Sequence, residues 1–112
     1  MYTTISGDQG DGEWGTICDD SWGIQDARVV CRQLGYLDAF AAPLFAHYGE
    51  GSGRIWLDNL QCLGTESDLF ACVHNGIGIH DCDHGEDASV ECLGVCNIIL
   101  SYLSVGYCLY IN

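Results

Sequence analysis

The stretch EWGTICDDSW, residues 13–22, sets two adjacent aspartates directly behind a cysteine. Its first part, EWGTIC, is typical of a short strand that ends at Cys18. Neighbouring carboxylates repel each other, and a small domain gains little from such a pair. The stretch therefore raises the question of what the fold places opposite Asp19 and Asp20.

Eight cysteines, spread at wide and irregular intervals over 112 residues, indicate a disulfide framework formed in an oxidising compartment. Reduced, buried cysteines in a cytosolic protein are the alternative. The sequence contains no CxxC pair, so it gives no support to a zinc ribbon or a thioredoxin-type motif. The cysteines are Cys18, Cys31, Cys62, Cys72, Cys82, Cys92, Cys96 and Cys108.

The charge is strongly one-sided, with 16 acidic residues against three arginines and no lysine, and a net charge of −13. Such a chain repels nucleic acid and anionic membrane surfaces, and it favours cations and basic partners. We therefore expect no nucleic-acid partner and no direct membrane insertion. The length suffices for one compact domain.

One amphipathic helix is predicted from about Gln25 to Leu34, because four apolar residues share one face and Gly35 stands where a helix stop is expected. These residues are Ala27, Val30, Cys31 and Leu34. Thr65 with Asp68 three residues on forms a capping-box pattern, which predicts a short second helix over 65–74. Strands are predicted over 54–62 and 88–92, and loops over 38–54 and 75–87.

The last segment, residues 94–112, carries no charge. A membrane span is one interpretation, but its polar residues and the lack of flanking basic residues argue against it. A second interpretation is a translated intron, because the codons of Val95-Cys96 can spell GTATGT, a common splice-donor form. If the segment is native, Cys96 most simply pairs with Cys108. The start of the chain lacks the features of a signal peptide, so we expect a fragment of a longer protein.

Four phrases, in this order and spacing, closely resemble the scavenger receptor cysteine-rich (SRCR) domain: EWGTICDDSW, DARVVCRQLGY, GSGRIWLDNLQCLGTES and ACVHNGIGIHDCDHGEDASVEC. The resemblance covers residues 13–93, while residues 1–12 match poorly and 94–112 lie outside the pattern. It implies an extracellular module, secreted or part of a cell-surface ectodomain. The implied fold is α+β, with a curved antiparallel sheet cradling one main helix and a short second helix.

The resemblance also implies the disulfides Cys18–Cys82, Cys31–Cys92 and Cys62–Cys72. This is the six-cysteine, group A pattern, because Tyr36 stands where the eight-cysteine group has a further cysteine. Members of the family usually begin with two strands before the WGT phrase, and only 13 residues precede Trp14. The first strand is therefore predicted to be missing, which would leave a sheet edge unpaired.

Given the Cys18–Cys82 pairing, Glu86 is expected close to Asp19 and Asp20, and these three positions match a cation site of several family members. Carboxylates gathered by the fold meet the need of Ca²⁺, or of Mg²⁺, for oxygen ligands. A second family cation site corresponds here to Asp58, Asn59 and Asp81. A capped turn with solvated aspartates is the alternative without a metal.

Two other metal sites are disfavoured by the sequence. An EF-hand loop starting at Asp81 would have Gly85 in its fifth position and Cys92 in its twelfth, where glutamate is required. His80 and His84 flank Cys82, which invites zinc binding, but a bridged cysteine cannot ligate as a thiolate.

No enzyme activity is predicted, because no GxSxG phrase is present and the cysteines are committed to bridges. The predicted function is calcium-assisted binding of protein, microbial or polyanionic ligands by a scavenger-receptor module, as in innate immunity. A structural spacer without its own ligand, beside an enzymatic domain such as a serine protease, is the alternative. A truncated product that folds poorly is a third interpretation.

Overall fold

The computed structural model describes residues 2–4, 14–99 and 103–111, and the side chains of residues 14–94. Within these residues the chain forms six strands, one α-helix and two 3-10 turns. They are β1 (Tyr2–Thr4), β2 (Trp14–Ile17), α1 (Ile24–Gln33), β3 (Asp38–Ala41), β4 (Arg54–Leu57), the turns Leu69–Ala71 and His84–Glu86, β5 (Glu91–Ile99) and β6 (Leu103–Ile111). The α+β class with one main helix is confirmed.

The strands form two three-stranded sheets, in the orders β1-β2-β4 and β3-β5-β6. The pair β2–β4 is parallel, whereas the other described pairs are antiparallel. Gly15 allows the parallel contact, because a Cβ atom there would overlap the carbonyl oxygen of Arg54 and lie 2.6 Å from the Trp56 ring. The edge of β2 that we expected to be unpaired is paired with Tyr2–Thr4.

Helix α1 is fixed at its start by Asp26. The Asp26 carboxylate accepts the backbone N–H of Gly23 at 2.8 Å and that of Cys62 at 2.7 Å, which ties the helix to a distant loop. The predicted helix is confirmed within one residue at each end, and its inner face is buried. Leu34 was wrongly placed on that face: it caps the helix end and is 48% exposed.

The predicted second helix is reduced to the 3-10 turn Leu69–Ala71, and its N-cap is Asp68 rather than Thr65. Asp68 accepts the N–H of Phe70 at 2.8 Å. Upstream, the carboxylate of Glu66 accepts the N–H groups of residues 63–65, at 2.9–3.1 Å. These side-chain contacts give the backbone an alternative to a longer helix.

The second sheet extends along the last part of the chain. Strand β3 lies where a loop was predicted, and it pairs with the beginning of β5. Strands β5 and β6 form an antiparallel hairpin in which Cys96 lies opposite Gly106 and Cys108 opposite Gly94. The side chains of Cys96 and Cys108 lie outside the described residues, so their disulfide stays a prediction. Among the described residues, no helix combines the length and apolar character that crossing a membrane requires.

The core lies between α1 and the two sheets, and three disulfides link the segments that surround it. Its largest fully buried side chains include Trp56, Ile17, Leu57, Leu60 and Val29. The structure contains the bridges Cys18–Cys82, Cys31–Cys92 and Cys62–Cys72, the pairs implied by the resemblance. The first two close loops of 64 and 61 residues, so they greatly restrict the unfolded chain.

Candidate metal centre

Acidic residues follow both strands of the parallel pair. β2 runs on into Cys18, Asp19 and Asp20, and β4 runs on into Asp58. Strands that run in the same direction end at the same side of their sheet, so the two segments emerge together. The N–H of Cys18 donates to the carbonyl oxygen of Leu57 at 2.9 Å, which continues the pairing up to the first of these residues.

A third acidic segment is brought to the same place by the Cys18–Cys82 disulfide. Backbone hydrogen bonds hold it there: the N–H of Asp19 donates to the carbonyl oxygen of Glu86 at 2.7 Å, and the N–H of Ala88 donates to that of Ile17 at 2.8 Å. The segment carries Asp81, which precedes the 3-10 turn His84–Glu86, and Glu86, which is the last residue of that turn. Carboxylates from three parts of the chain therefore converge.

We call Asp20, Asp58, Asp81 and Glu86 the acidic cluster. Ligand atoms of Asp20, Asp58, Asp81 and Cys82 all lie within 4.8 Å of one another, and so do those of Cys18, Asp20, Cys82 and Glu86. Asp20 belongs to both groups, which makes it the centre of the cluster. The sulfurs are bonded to each other, so the carboxylates are the oxygen donors that a hard cation would use.

The electrostatics of the cluster favour a positive charge at its centre. The pKa of Asp20 is raised to about 6, and burial is the largest cause. The charge of Asp58, a hydrogen bond between the Asp20 and Asp58 side chains, and the charges of Asp81 and Glu86 add to the rise. Asp58 is 1% exposed, and its Oδ2 has no hydrogen-bond partner among the described residues. A buried, unpartnered carboxylate oxygen is costly, and a bound cation would satisfy it. The residues present therefore fit a divalent ion.

The two predicted ligand sets are rearranged around Asp20. Asp20 and Glu86 come together, but Asp19 does not join the described clusters: its Oδ2 accepts the N–H of Phe45 at 2.8 Å. Asp58 and Asp81 meet at Asp20, whereas the side-chain oxygen of Asn59 lies 3.5 Å from the hydroxyl of Ser21. The metal binding of both sets stays a prediction.

Sequence reasoning missed that Asp20 joins the two sets. The residues alone predicted strands over 13–18 and 54–62, so Asp58 was expected inside a strand, whereas the second strand ends at Leu57, directly before Asp58. They did not show that the strands are adjacent and parallel, because the connection between them contains more than thirty residues, including the helix. Two short strands with aspartates at their ends are the signal that could have suggested one shared site.

The two histidines beside Cys82, His80 and His84, contact other groups of the protein. His84 Nδ1 lies 3.0 Å from the buried carboxylate of Asp87, and its Nε2 lies 3.0 Å from the carbonyl oxygen of Gly53. Burial alone would lower the pKa of His84, but the contacts with Asp87 and Gly53 and the charges of Asp87 and Glu50 produce a net rise. His80 Nδ1 accepts the N–H of Cys82 at 3.1 Å. His84 thus holds the turn against β4.

Sequence comparisons identify related proteins. The family profile described as the scavenger receptor cysteine-rich domain matches residues 8–93. Lysyl oxidase homolog 2 of Homo sapiens is 54% identical over 82 residues, which are 73% of this chain and 11% of that protein. Lysyl oxidase homolog 2A of Danio rerio is 55% identical over 80 residues, or 71% of this chain and 11% of that protein. The chain thus spans about a tenth of the length of the curated relatives it matches.

Two solved structures match about four-fifths of the chain. The dimeric form of the SRCR domain of mouse MARCO is 49% identical, with a TM-score of 0.69, and the match covers 82% of this chain and 86% of that one. The third SRCR domain of murine neurotrypsin is 43% identical, with a TM-score of 0.63, over 79% of this chain and 91% of that one. Fold, disulfides and profile agree, and the chain belongs to the scavenger receptor cysteine-rich domain family.

Proposed function

We propose that this domain is an extracellular binding module in which a divalent cation, Ca²⁺ in preference to Mg²⁺, completes the contact with an anionic ligand. The single observation that carries the proposal is Asp58 Oδ2, a buried carboxylate oxygen with no partner among the described residues. A carboxylate oxygen of Asp58 belongs to the same group as ligand atoms of Asp20 and Asp81. An ion held there would remove the repulsion within the group.

The choice of Ca²⁺ follows from the donor set. Ca²⁺ accepts six to eight oxygen ligands in flexible geometry, whereas Mg²⁺ requires near-octahedral geometry and gives up its water reluctantly. Asp20, Asp58 and Asp81 lie on three different loops, an arrangement that suits the more tolerant ion. They supply fewer oxygens than Ca²⁺ accepts, so positions remain for water or for oxygens of a ligand.

Because the domain is strongly negative, an anionic ligand would need the bound ion in order to bind. With a net charge of −13, the protein repels polyanions, and a bound cation reverses the sign of the potential locally. All three arginines are engaged within the domain: Arg28 Nε lies 3.2 Å from Asp38 Oδ1, Arg32 donates to the carbonyl oxygen of Gly64, and the Arg54 guanidinium lies 5.1 Å from the centre of the Trp56 ring. Carboxylated or sulfated surfaces of proteins, microbes or polymers would therefore bind through the ion rather than through a basic patch.

The first test is calcium binding by the isolated chain. At a Ca²⁺ concentration one hundred times Kd, ligand linkage adds about 2.7 kcal/mol to stability, which thermal unfolding detects as a rise in Tm. Asp20→Asn should abolish the rise, while the control change Asp38→Asn, at a half-exposed carboxylate outside the cluster that pairs with Arg28, should leave it intact. An unchanged Tm in the unmodified protein at millimolar Ca²⁺ would rule out the site.

The second test is capture of the chain on beads that carry a carboxylated or a sulfated polymer. We expect retention with Ca²⁺, release by a chelator, and no retention of Asp20→Asn at any Ca²⁺ concentration. If the chain binds Ca²⁺ but no polymer, protein or bacterial surface retains it, the ion has a structural role only.

A spacer module without its own ligand is the second candidate. It is favoured by the small share, 11%, that the match occupies in the lysyl oxidase homologs. In such a protein the domain would set the distance between neighbours. Calcium would then raise Tm without creating any calcium-dependent capture, which separates the two candidates.

A further inference from the structure

The Cys18–Cys82 disulfide lies directly against carboxylates of the acidic cluster. Cys82 Sγ is 3.4 Å from Asp20 Oδ2, and Cys18 Sγ is 3.8 Å from Glu86 Oε2. Ligand atoms of these four residues all lie within 4.8 Å of one another. The fold therefore gathers two sulfurs and two carboxylates into a space of the size that one metal ion requires.

The sulfur–oxygen distances match those of a tetrahedral zinc site. With Zn–S of about 2.3 Å and Zn–O of about 2.0–2.2 Å, tetrahedral angles give an S···O separation of about 3.5–3.7 Å. The observed separations of 3.4 and 3.8 Å bracket this value. The two sulfurs are bonded at 2.01 Å, and they must separate to about 3.8 Å before all four groups can act as ligands of one tetrahedral ion, a movement that opening the bridge permits.

We propose that reduction of Cys18–Cys82 converts this part of the domain into a Zn²⁺ site, with the thiolates of Cys18 and Cys82 and the carboxylates of Asp20 and Glu86 as ligands. A dithiol supplies the two electrons and two protons: it becomes a disulfide, and the S–S bond of the protein becomes two thiols. Zn²⁺ then replaces the two thiol protons, which are released to solvent.

The partial exposure of Cys82 favours reduction of this bridge over the other two described bridges. Cys82 is partly exposed, whereas the four cysteines of the other two described bridges are buried. A thiolate must reach a sulfur atom to break a disulfide, so attack at Cys82 is favoured over attack at Cys31, Cys92, Cys62 or Cys72.

A second, independent feature indicates that a cation belongs beside these sulfurs. Asp58 is 1% exposed, its Oδ2 has no partner among the described residues, and it shares a group with Asp20 and Cys82. With the disulfide intact, the place offers only carboxylate oxygens, which suit Ca²⁺ and Mg²⁺. With the disulfide open it also offers two thiolates, which select Zn²⁺. The bridge thus decides which metal the domain prefers.

The experiment begins with limited reduction of the whole chain by a dithiol, which is then removed under argon. Alkylation and peptide mass spectrometry identify the opened bridge. The reduced chain is titrated with Zn²⁺ and, in parallel, with Co²⁺ as a spectroscopic probe for thiolate ligands. We expect one ion per chain, the Co²⁺–thiolate absorption, protection of Cys18 and Cys82 from alkylation, and no displacement by millimolar Ca²⁺.

Variants distinguish a Zn²⁺ site formed by the fold from non-specific chelation of Zn²⁺ by an unfolded chain. Glu86→Gln and Asp20→Asn should each weaken Zn²⁺ binding at least tenfold, and Asp38→Asn should not weaken it. Zn²⁺ should also restore the thermal unfolding transition of the reduced chain. The proposal is overturned if another bridge opens first, if no Co²⁺–thiolate absorption forms, or if binding is equal in Glu86→Gln, Asp20→Asn and the unmodified chain.

Discussion

The carboxylate of Asp20 and the sulfur of Cys82 lie 3.4 Å apart, although 62 residues separate them in the sequence. The contact joins the charged centre of the domain to one of its long-range crosslinks. A change in the charge of Asp20 therefore alters the electrostatic environment of the bridge, and opening the bridge removes the covalent link that holds the segment of Asp81 and Glu86 beside Asp20.

Asp58→Asn should stabilise the metal-free protein and abolish its response to calcium. The amide can donate a hydrogen bond to the ionised carboxylate of Asp20, whereas the carboxylate of Asp58 shares a hydrogen bond with Asp20 only when one of the two is protonated and otherwise repels it. A gain of about 1 kcal/mol corresponds to a rise in Tm of about 4–8 °C for a domain of this size. Thermal unfolding in chelator and in millimolar Ca²⁺ measures both effects. A fall in Tm without metal would contradict the repulsion inferred at Asp58.

In chelator, the protein should become more stable as the pH falls from 7 to 5. The pKa of Asp20 is about 6 in the folded state and 3.8 is its ordinary value, so the folded state binds more protons in this range. The contribution is present at low pH and is lost as the pH rises through about 6. Tm measured across this range in the unmodified protein and in Asp20→Asn checks it: the change should be smaller in the variant, which keeps only the contribution of groups such as His84, whose pKa is also raised.

Saturating Ca²⁺ should reverse that pH dependence. The ion requires Asp20 in its ionised form, so protons compete with it below pH 6, and the apparent affinity should fall up to about tenfold per pH unit there. Calorimetric titrations at pH 5, 6 and 7 measure the change. An affinity that is independent of pH would show that Asp20 is not a ligand.

Asp26→Ala should destabilise the domain by about 3 kcal/mol, because two backbone N–H groups lose a charged acceptor. Denaturant unfolding measures the loss. Asp26→Asn keeps one acceptor and should lose less. Calcium affinity should be unchanged in both variants under native conditions, because Asp26 holds α1 to the loop at Cys62 and is not part of the acidic cluster.

Gly15→Ala should prevent the β2–β4 pairing and, with it, calcium binding. A Cβ atom at this position has no room between Arg54 and the Trp56 ring. Gly23→Ala is the matched control, since its nearest neighbour would be 3.9 Å away and its φ of −153° suits any residue. Calcium titration and near-ultraviolet circular dichroism compare the two. Equal behaviour would contradict the role of the close strand contact.

A chain that ends at residue 93 should keep its three described disulfides and the calcium affinity of the whole chain. No residue of the acidic cluster lies beyond Glu86, and β3 pairs with residues 91–93 of β5. Disulfide mapping and calorimetry test this. A loss of calcium binding would show that the β5–β6 hairpin supports the cluster.

Helix α1 was predictable because four apolar residues at helical spacing and Gly35 define it locally. The disulfides were not derivable from the residues, since eight cysteines allow 105 pairings, and they came from the resemblance. The site was predicted only as separate sets, because the contact between Asp20 and Asp58 depends on a parallel strand pair. That pairing joins distant segments, and neither strand carries a local signal for its partner.

The register of the parallel pair changes between Thr16 and Ile17: Thr16 lies opposite Ile55, but Ile17 lies opposite Leu57, so Trp56 is an extra residue. Each residue of strand adds about 3.3 Å. A single insertion or deletion between β2 and Asp20, or within β4, would therefore displace Asp20 from Asp58 by about the separation of two ligand atoms. For a relative of this domain, the number of residues from each strand to its aspartate should predict cation binding better than overall sequence identity.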